Sequence, residues 1–134
     1  MNEKRIVRVS EVMTENYHLV DGILVVSEAL DMMKKSGIHV LIIDKRSDDD
    51  EYGIVLLTDI AREVLSVNRA AERINIYEIM SKPVVSVDSE MNIRYCARMF
   101  CNLGFSHAPV TSCGKLVGIV GYADLLLNDF YIDF

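Results

Sequence analysis

A chain of 134 residues, half apolar and a quarter charged, has room for one compact domain or two very small ones. Its net charge of −6 speaks against nucleic acid and anionic membranes as partners, and the basic cluster Lys4, Arg5, Arg8 is too short to reverse that. No apolar run approaches the ~20 residues of a membrane span, and Glu3, Lys4 and Arg5 lead into no signal-type stretch, so a cytoplasmic location is expected.

The spacing predicts a short helical turn over Val9–Met13 and a strand over His18–Val20. A helix follows, in which Val26, Ala29, Leu30 and Met33 form one apolar stripe. Gly37 stands where a glycine would end that helix. Two strands come next, Val40–Ile43 and Tyr52–Leu56, joined by a loop whose acidic run Asp48, Asp49, Asp50, Glu51 should be exposed, since like charges repel. A last helix starts near Asp59, and residues 67–75 read as a polar linker.

The same order then returns. Ile76–Met80 is a second opening turn, and 84–87 a second first strand. Ile93, Cys96, Ala97 and Phe100 repeat the apolar stripe, and Gly104 ends it. His107–Thr111 and Lys115–Val120 form a hairpin around Cys113-Gly114, and a helix starts near Asp124. An offset of 67 residues superposes Glu11 on Glu78, Met13 on Met80, Asp21 on Asp88, Met32 on Met99 and Gly37 on Gly104. Past the acidic loop, which is longer in the first copy, an offset of 65 superposes Gly53-Ile54-Val55 on Gly118-Ile119-Val120 and Asp59 on Asp124. The expectation is an α/β (α+β) fold of two tandem β-α-β-β-α repeats related by a pseudo-twofold axis. The first repeat covers 1–66 and the second 76–134. A lone unit of about 60 residues buries too little surface to stand comfortably by itself, so a shared core is the natural solution.

Two such units, each closing with Gly-apolar-apolar-x-x-x-Asp, resemble a CBS-domain pair, or Bateman module. The segments that carry the likeness are Gly53-Ile54-Val55-Leu56-Leu57-Thr58-Asp59-Ile60 and Gly118-Ile119-Val120-Gly121-Tyr122-Ala123-Asp124-Leu125. The openings Val12-Met13-Thr14 and Ile79-Met80-Ser81 and the run Gly104–Val110 add to it. The resemblance implies a non-enzymatic regulatory module. It would bind AMP, ADP, ATP, S-adenosylmethionine or a similar adenosine compound in clefts between repeats, and would require no cofactor. With no attached domain, a regulated enzyme or transporter would be a separate protein. The alternative is a ligand-free pair used for dimerisation or protein association.

In that family the closing Asp, here Asp59 and Asp124, binds ribose hydroxyls. A carboxylate can accept from two vicinal hydroxyls, and a helix N-terminus favours a nearby anion. A plainer role, capping the helix, is open to each. Leu56 and Gly121 stand where the family carries a Thr or Ser that contacts phosphate. Leu56 adds bulk, while Gly121 leaves space, so the cleft led by Asp124 is expected to bind better. Thr58, next to Asp59, reads as a helix cap. The resemblance further implies His39 and His107 as basic side chains toward phosphate, backbone at Val85 and Ser86 for the adenine edge, and Ala108 and Pro109 as an apolar wall; a strand-edge role is the plainer reading of both histidines, and His18 is a weaker candidate.

No GxSxG, HExxH or phosphate-cradling glycine loop is present. Cys96 falls on the core-facing stripe, Cys101 on the opposite face and Cys113 in a turn, three environments that do not make a four-ligand zinc site. Met32, Met33 and Met99 read as packing residues. Leu125, Leu126, Leu127, Phe130 and Tyr131 give the C-terminal helix more apolar surface than it can hide alone, and a C2 homodimer is expected.

Overall fold

The computed structural model describes residues 5–82 and 84–132; Lys4 lies outside them. In chain order the elements are α1 (Val9–Val12), β1 (His18–Val20), α2 (Val26–Ser36), β2 (Val40–Ile43), β3 (Gly53–Leu56), α3 (Leu57–Ile60), β4 (Val87–Asp88), α4 (Ile93–Leu103), β5 (His107–Ser112), β6 (Lys115–Gly121), α5 (Tyr122–Leu126) and α6 (Asp129–Ile132). The strands form two three-stranded sheets of the same order, β1-β2-β3 and β4-β5-β6. In each, the first strand runs parallel to the middle one and the third antiparallel to it. The mixed α/β fold of two like repeats is therefore present.

In space the chain gathers into two compact units, Tyr17–Val84 and Met1–Asn16 with Val85–Phe134. These are not the sequence repeats. The opening segment of each repeat is exchanged: residues 7–14 fold against the sheet of the second repeat, and residues 74–82 against that of the first. Backbone hydrogen bonds hold both exchanges. Val9 N–H donates to Met91 C=O at 2.8 Å, and Thr14 and Ile119 bond each other in both directions at 2.9 Å. In the other unit Ile76 N–H donates to Leu24 C=O at 2.7 Å, and Ser81 and Ile54 bond each other at 3.0 Å.

The exchange explains the glycine that begins each closing motif. A Cβ on Gly118 would lie 2.8 Å from Met13 Sδ and 2.9 Å from Thr14 O, and one on Gly53 would lie 2.8 Å from Met80 Sδ. The repeated opening Met and the repeated Gly are thus the two sides of one close approach.

In unit Tyr17–Val84, every residue of β2 is buried, as a central strand of β-branched and Leu residues requires. Leu41, Ile43 and Val55 meet Val26, Ala29 and Met33 of α2, with Ile60, Val64, Ile74, Ile76 and Ile79 completing the core. The segment 67–75, polar in sequence, carries Ile74 into that core, and Val26 N–H donates to Ile74 C=O at 2.8 Å. In the other unit Phe100, Cys96 and Ile93 of α4 pack on Ala108, Val110 and Val120, with Val7, Val9 and Leu125. Gly37 and Gly104 both take φ 74° and end their helices in the left-handed conformation that glycine adopts at least cost. Cys113 (φ 52°) and Gly114 (φ 78°) are both left-handed, as a two-residue hairpin turn needs.

Three details differ from the sequence reading. Asp50 is not fully exposed like its acidic neighbours: it turns inward, and Lys82 Nζ donates to it at 2.6 Å while Arg46 N–H donates at 2.8 Å. Leu125 is 2% exposed and belongs to the core rather than to an outer patch. The strand expected over 84–87 is confined to Val87–Asp88.

Candidate functional site

The closing helices start at Leu57 and Tyr122, which makes Asp59 and Asp124 their third residues. That position lets a carboxylate fold back on the end of the preceding strand. Asp124 Oδ2 accepts from Gly121 N–H at 2.8 Å, and Asp59 Oδ2 accepts from Leu56 N–H at 2.8 Å. Both aspartates therefore do cap their helices. Thr58 does not: it is an exposed second helical residue, and the cap position is Leu56.

The other oxygen of each carboxylate differs between the two. Asp59 Oδ1 accepts from Arg62 Nη2 at 2.6 Å, and the residue is 8% exposed. Its charge is already balanced by a guanidinium one turn along, and little of it faces solvent. Asp124 Oδ1 accepts from the hydroxyl of Thr14 at 2.8 Å, and the residue is only half-buried. A carboxylate has about four lone-pair positions. Thr14 and Gly121 use two at Asp124 and leave two, enough for a pair of vicinal hydroxyls. No ion pair among the described residues involves Asp124.

His107 lies beside this carboxylate. It pairs with Gly121 across β5 and β6. A Cβ on Gly121 would lie 2.7 Å from its Cδ2 and 2.9 Å from its Nε2. The space expected above Gly121 is thus not open: the imidazole occupies it. Ser106 Oγ and His107 Nδ1 are 3.0 Å apart. Burial pushes the imidazole below its ordinary pKa, and the Asp124 charge pulls the other way.

The remaining candidates scatter. His39 is exposed and precedes β2, and Val40, opposite Leu56, holds the register that His107 holds opposite Gly121. Ala108 is fully buried in the core and cannot wall a ligand. Pro109 faces the other side of the sheet, buried and opposite Ile119. Val85 and Ser86 are exposed and lie ahead of β4. His18 Nε2 lies 2.9 Å from Ser36 Oγ.

Thr14 is the residue that sequence reasoning missed. It belongs to the opening of the first repeat, yet it serves the closing Asp of the second. The signal available was its match to Ser81 in the internal repeat, but only the exchange of opening segments tells which Asp it meets. Arg62 was likewise overlooked, although a cation three residues after an Asp on a helix is a standard ion-pair spacing.

Two concavities lie away from both carboxylates. One of about 400 Å³ is lined by Arg5, Asn92, Arg94, Leu126 and Tyr131, among others. The other, of about 520 Å³, is lined by Asp21, Asp44, Tyr77 and Lys82, among others. The second gathers Asp21, Asp44, Arg46, Asp50 and Lys82, of which Asp50 and Lys82 already pair at 2.6 Å. Among the described residues no His, Cys, Asp or Glu cluster suited to a metal ion occurs, and no helix is long and apolar enough to cross a membrane.

Comparison with known proteins matches this chain to the CBS domain twice, over residues 9–66 and 76–129. The hexameric CBS-CP12 protein from bloom-forming cyanobacteria shares 32% identity and a TM-score of 0.92, over 97% of this chain and 76% of that one. The CBS domain pair of protein MJ0100, solved in complex with 5′-methylthioadenosine and S-adenosyl-L-methionine, has the same fold at a TM-score of 0.77 and 24% identity, over 90% and 94% of the two chains. An uncharacterized protein of Methanopyrus kandleri is 28% identical over 102 residues, 75% of this chain; the chain spans about half the length of that curated relative (51%).

Proposed function

The chain belongs to the CBS-domain family, and on that premise we propose that it is a regulatory module whose Asp124 carboxylate holds the ribose of an adenosine-containing ligand, relaying occupancy to the activity it regulates. The carrying observation is the state of that carboxylate. It is fixed by Thr14 and the Gly121 N–H, it faces solvent in part, and no ion pair among the described residues involves it. Asp59, buried and paired with Arg62, is the weaker binder. The 5′-methylthioadenosine and S-adenosyl-L-methionine held by the MJ0100 domain pair support an adenosine compound as the ligand class. AMP, ADP, ATP, adenosine and S-adenosylmethionine form the test set. A ligand at 100 times its Kd adds about 2.7 kcal/mol to folding stability, so a thermal-shift screen reveals it. No shift with any of the five at millimolar concentration removes this reading.

A second reading, association with another copy or another protein, is favoured by one observation. Tyr122, Leu126, Leu127, Phe130 and Tyr131 are 37%, 45%, 81%, 39% and 45% exposed around α5 and α6. Apolar surface so concentrated marks an interface, and a C2 homodimer is the simplest assembly that covers it. The two readings are compatible.

A further inference from the structure

We propose that the Asp124 site selects among adenosine compounds by charge, accepting a neutral or cationic 5′ substituent and disfavouring a 5′-phosphate. This rests on the reading that Asp124 holds the ribose.

The selection follows from what surrounds the carboxylate. Its two donors, the Thr14 hydroxyl and the Gly121 N–H, are neutral, so its charge is not balanced where it stands. Gly121 brings no hydroxyl for a phosphate oxygen. It cannot be given one without displacing His107, whose ring lies within 2.9 Å of where a Cβ would be. Ser106, Gly121 on β6 and Asp124 on α5 lie against or near that ring. None is a cation. Burial lowers the pKa of the ring against the pull of Asp124, which disfavours its charged form. The helix behind Asp124 spans five residues, too few turns for a useful dipole. A phosphate monoester brings about −1.5 to −2 charges at pH 7 into this setting. It meets a carboxylate that no ion pair among the described residues balances. A nucleoside meets only the acceptors its hydroxyls need, and a sulfonium beside the ribose is attracted to the same carboxylate.

Asp59 supplies the contrast. Arg62 pairs with it and with Glu63, and that side chain is 63% exposed, so an anionic 5′ group near Asp59 would meet a cation that the Asp124 carboxylate does not have.

Titration calorimetry at pH 8 with adenosine, S-adenosylmethionine, AMP and ATP tests the proposal, on the parent chain and on Asp59→Asn/Arg62→Gln, which removes the other closing carboxylate together with its cation and leaves Asp124. The expected result is that adenosine and S-adenosylmethionine bind Asp59→Asn/Arg62→Gln at least about tenfold tighter than AMP, a gap of about 1.4 kcal/mol. When Asp124→Asn is added to that variant the nucleoside weakens and the ratio to AMP falls toward one. AMP binding Asp59→Asn/Arg62→Gln as tightly as adenosine would overturn the charge selection while leaving adenosine recognition intact. Failure of all four compounds on the parent would overturn both.

Discussion

Adding one methyl group at Gly118 tests the close approach on which the Asp124 site depends. The new Cβ would lie 2.9 Å from the carbonyl oxygen of Thr14, 2.8 Å from Met13 Sδ and 3.1 Å from Met13 Cγ. The thioether ends a flexible side chain and can swing away. The carbonyl cannot, because Thr14 and Ile119 are tied in both directions at 2.9 Å. At Gly53 the same methyl would meet Met80 Sδ at 2.8 Å, but Ile43 Cβ only at 3.3 Å and Ser81 O at 3.4 Å. Overpacking costs about 1–3 kcal/mol, and Gly118→Ala belongs near the top of that range, Gly53→Ala near the bottom. Alanine restricts the unfolded chain and offsets about 0.4–1 kcal/mol of each. The net loss is about 2 kcal/mol for Gly118→Ala and near zero for Gly53→Ala. At about 4 °C per kcal/mol, circular-dichroism melts should place Gly118→Ala about 8 °C below the parent and Gly53→Ala within about 2 °C of it. Gly118→Ala should also weaken ligand binding, since any shift of Thr14 moves a hydroxyl 2.8 Å from Asp124. Equal losses at the two glycines, or the larger loss at Gly53, would refute this reasoning.

Acid stability should depend on Asp50. The Lys82 ammonium and then the Arg46 N–H hold its carboxyl well below the ordinary carboxylate range. The stability it contributes is therefore complete above its unfolded value near pH 4 and is lost as the pH falls below that. Tm measured from pH 6 to 2 should fall less steeply for Asp50→Asn than for the parent. Iodoacetamide should modify Cys101 and Cys113, which are exposed, and spare Cys96, whose thiol burial pushes up to about 11, until the chain unfolds; intact mass reads the count. Light scattering at micromolar concentration should give twice the chain mass of 15.2 kDa for the parent and the single-chain mass for Leu126→Glu/Leu127→Glu. A monomeric parent would remove the dimer.

The elements were legible because each obeys a local rule. The stripe Val26, Ala29, Leu30, Met33 and the stop at Gly37 mark α2 within a residue of its ends, and the internal repeat carries the same reading to α4. The hairpin turn at Cys113-Gly114 was equally local. Partnerships that span the chain were not. Thr14 and Asp124 are 110 residues apart, and nothing in a repeat alignment says that opening segments exchange. Facing was the other blind spot. The 67-residue offset already sets Val40, not His39, against His107, but it does not say which face a residue takes, and Ala108 turns into the core because successive strand residues face opposite ways. Gly121 looked like space because a sequence shows what a residue lacks and not which neighbour fills the gap.

Calorimetric titration of Asp124→Ala and Asp59→Ala, with the compound that gives the largest thermal shift, bears most directly on the proposed function. Each hydrogen bond to a charged group contributes about 1.5–3 kcal/mol. Loss of the Asp124 carboxylate should therefore weaken binding about ten- to hundredfold. Asp59→Ala should change it less, since Arg62 already occupies that carboxylate. Binding that survives Asp124→Ala intact and disappears in Asp59→Ala would contradict the assignment.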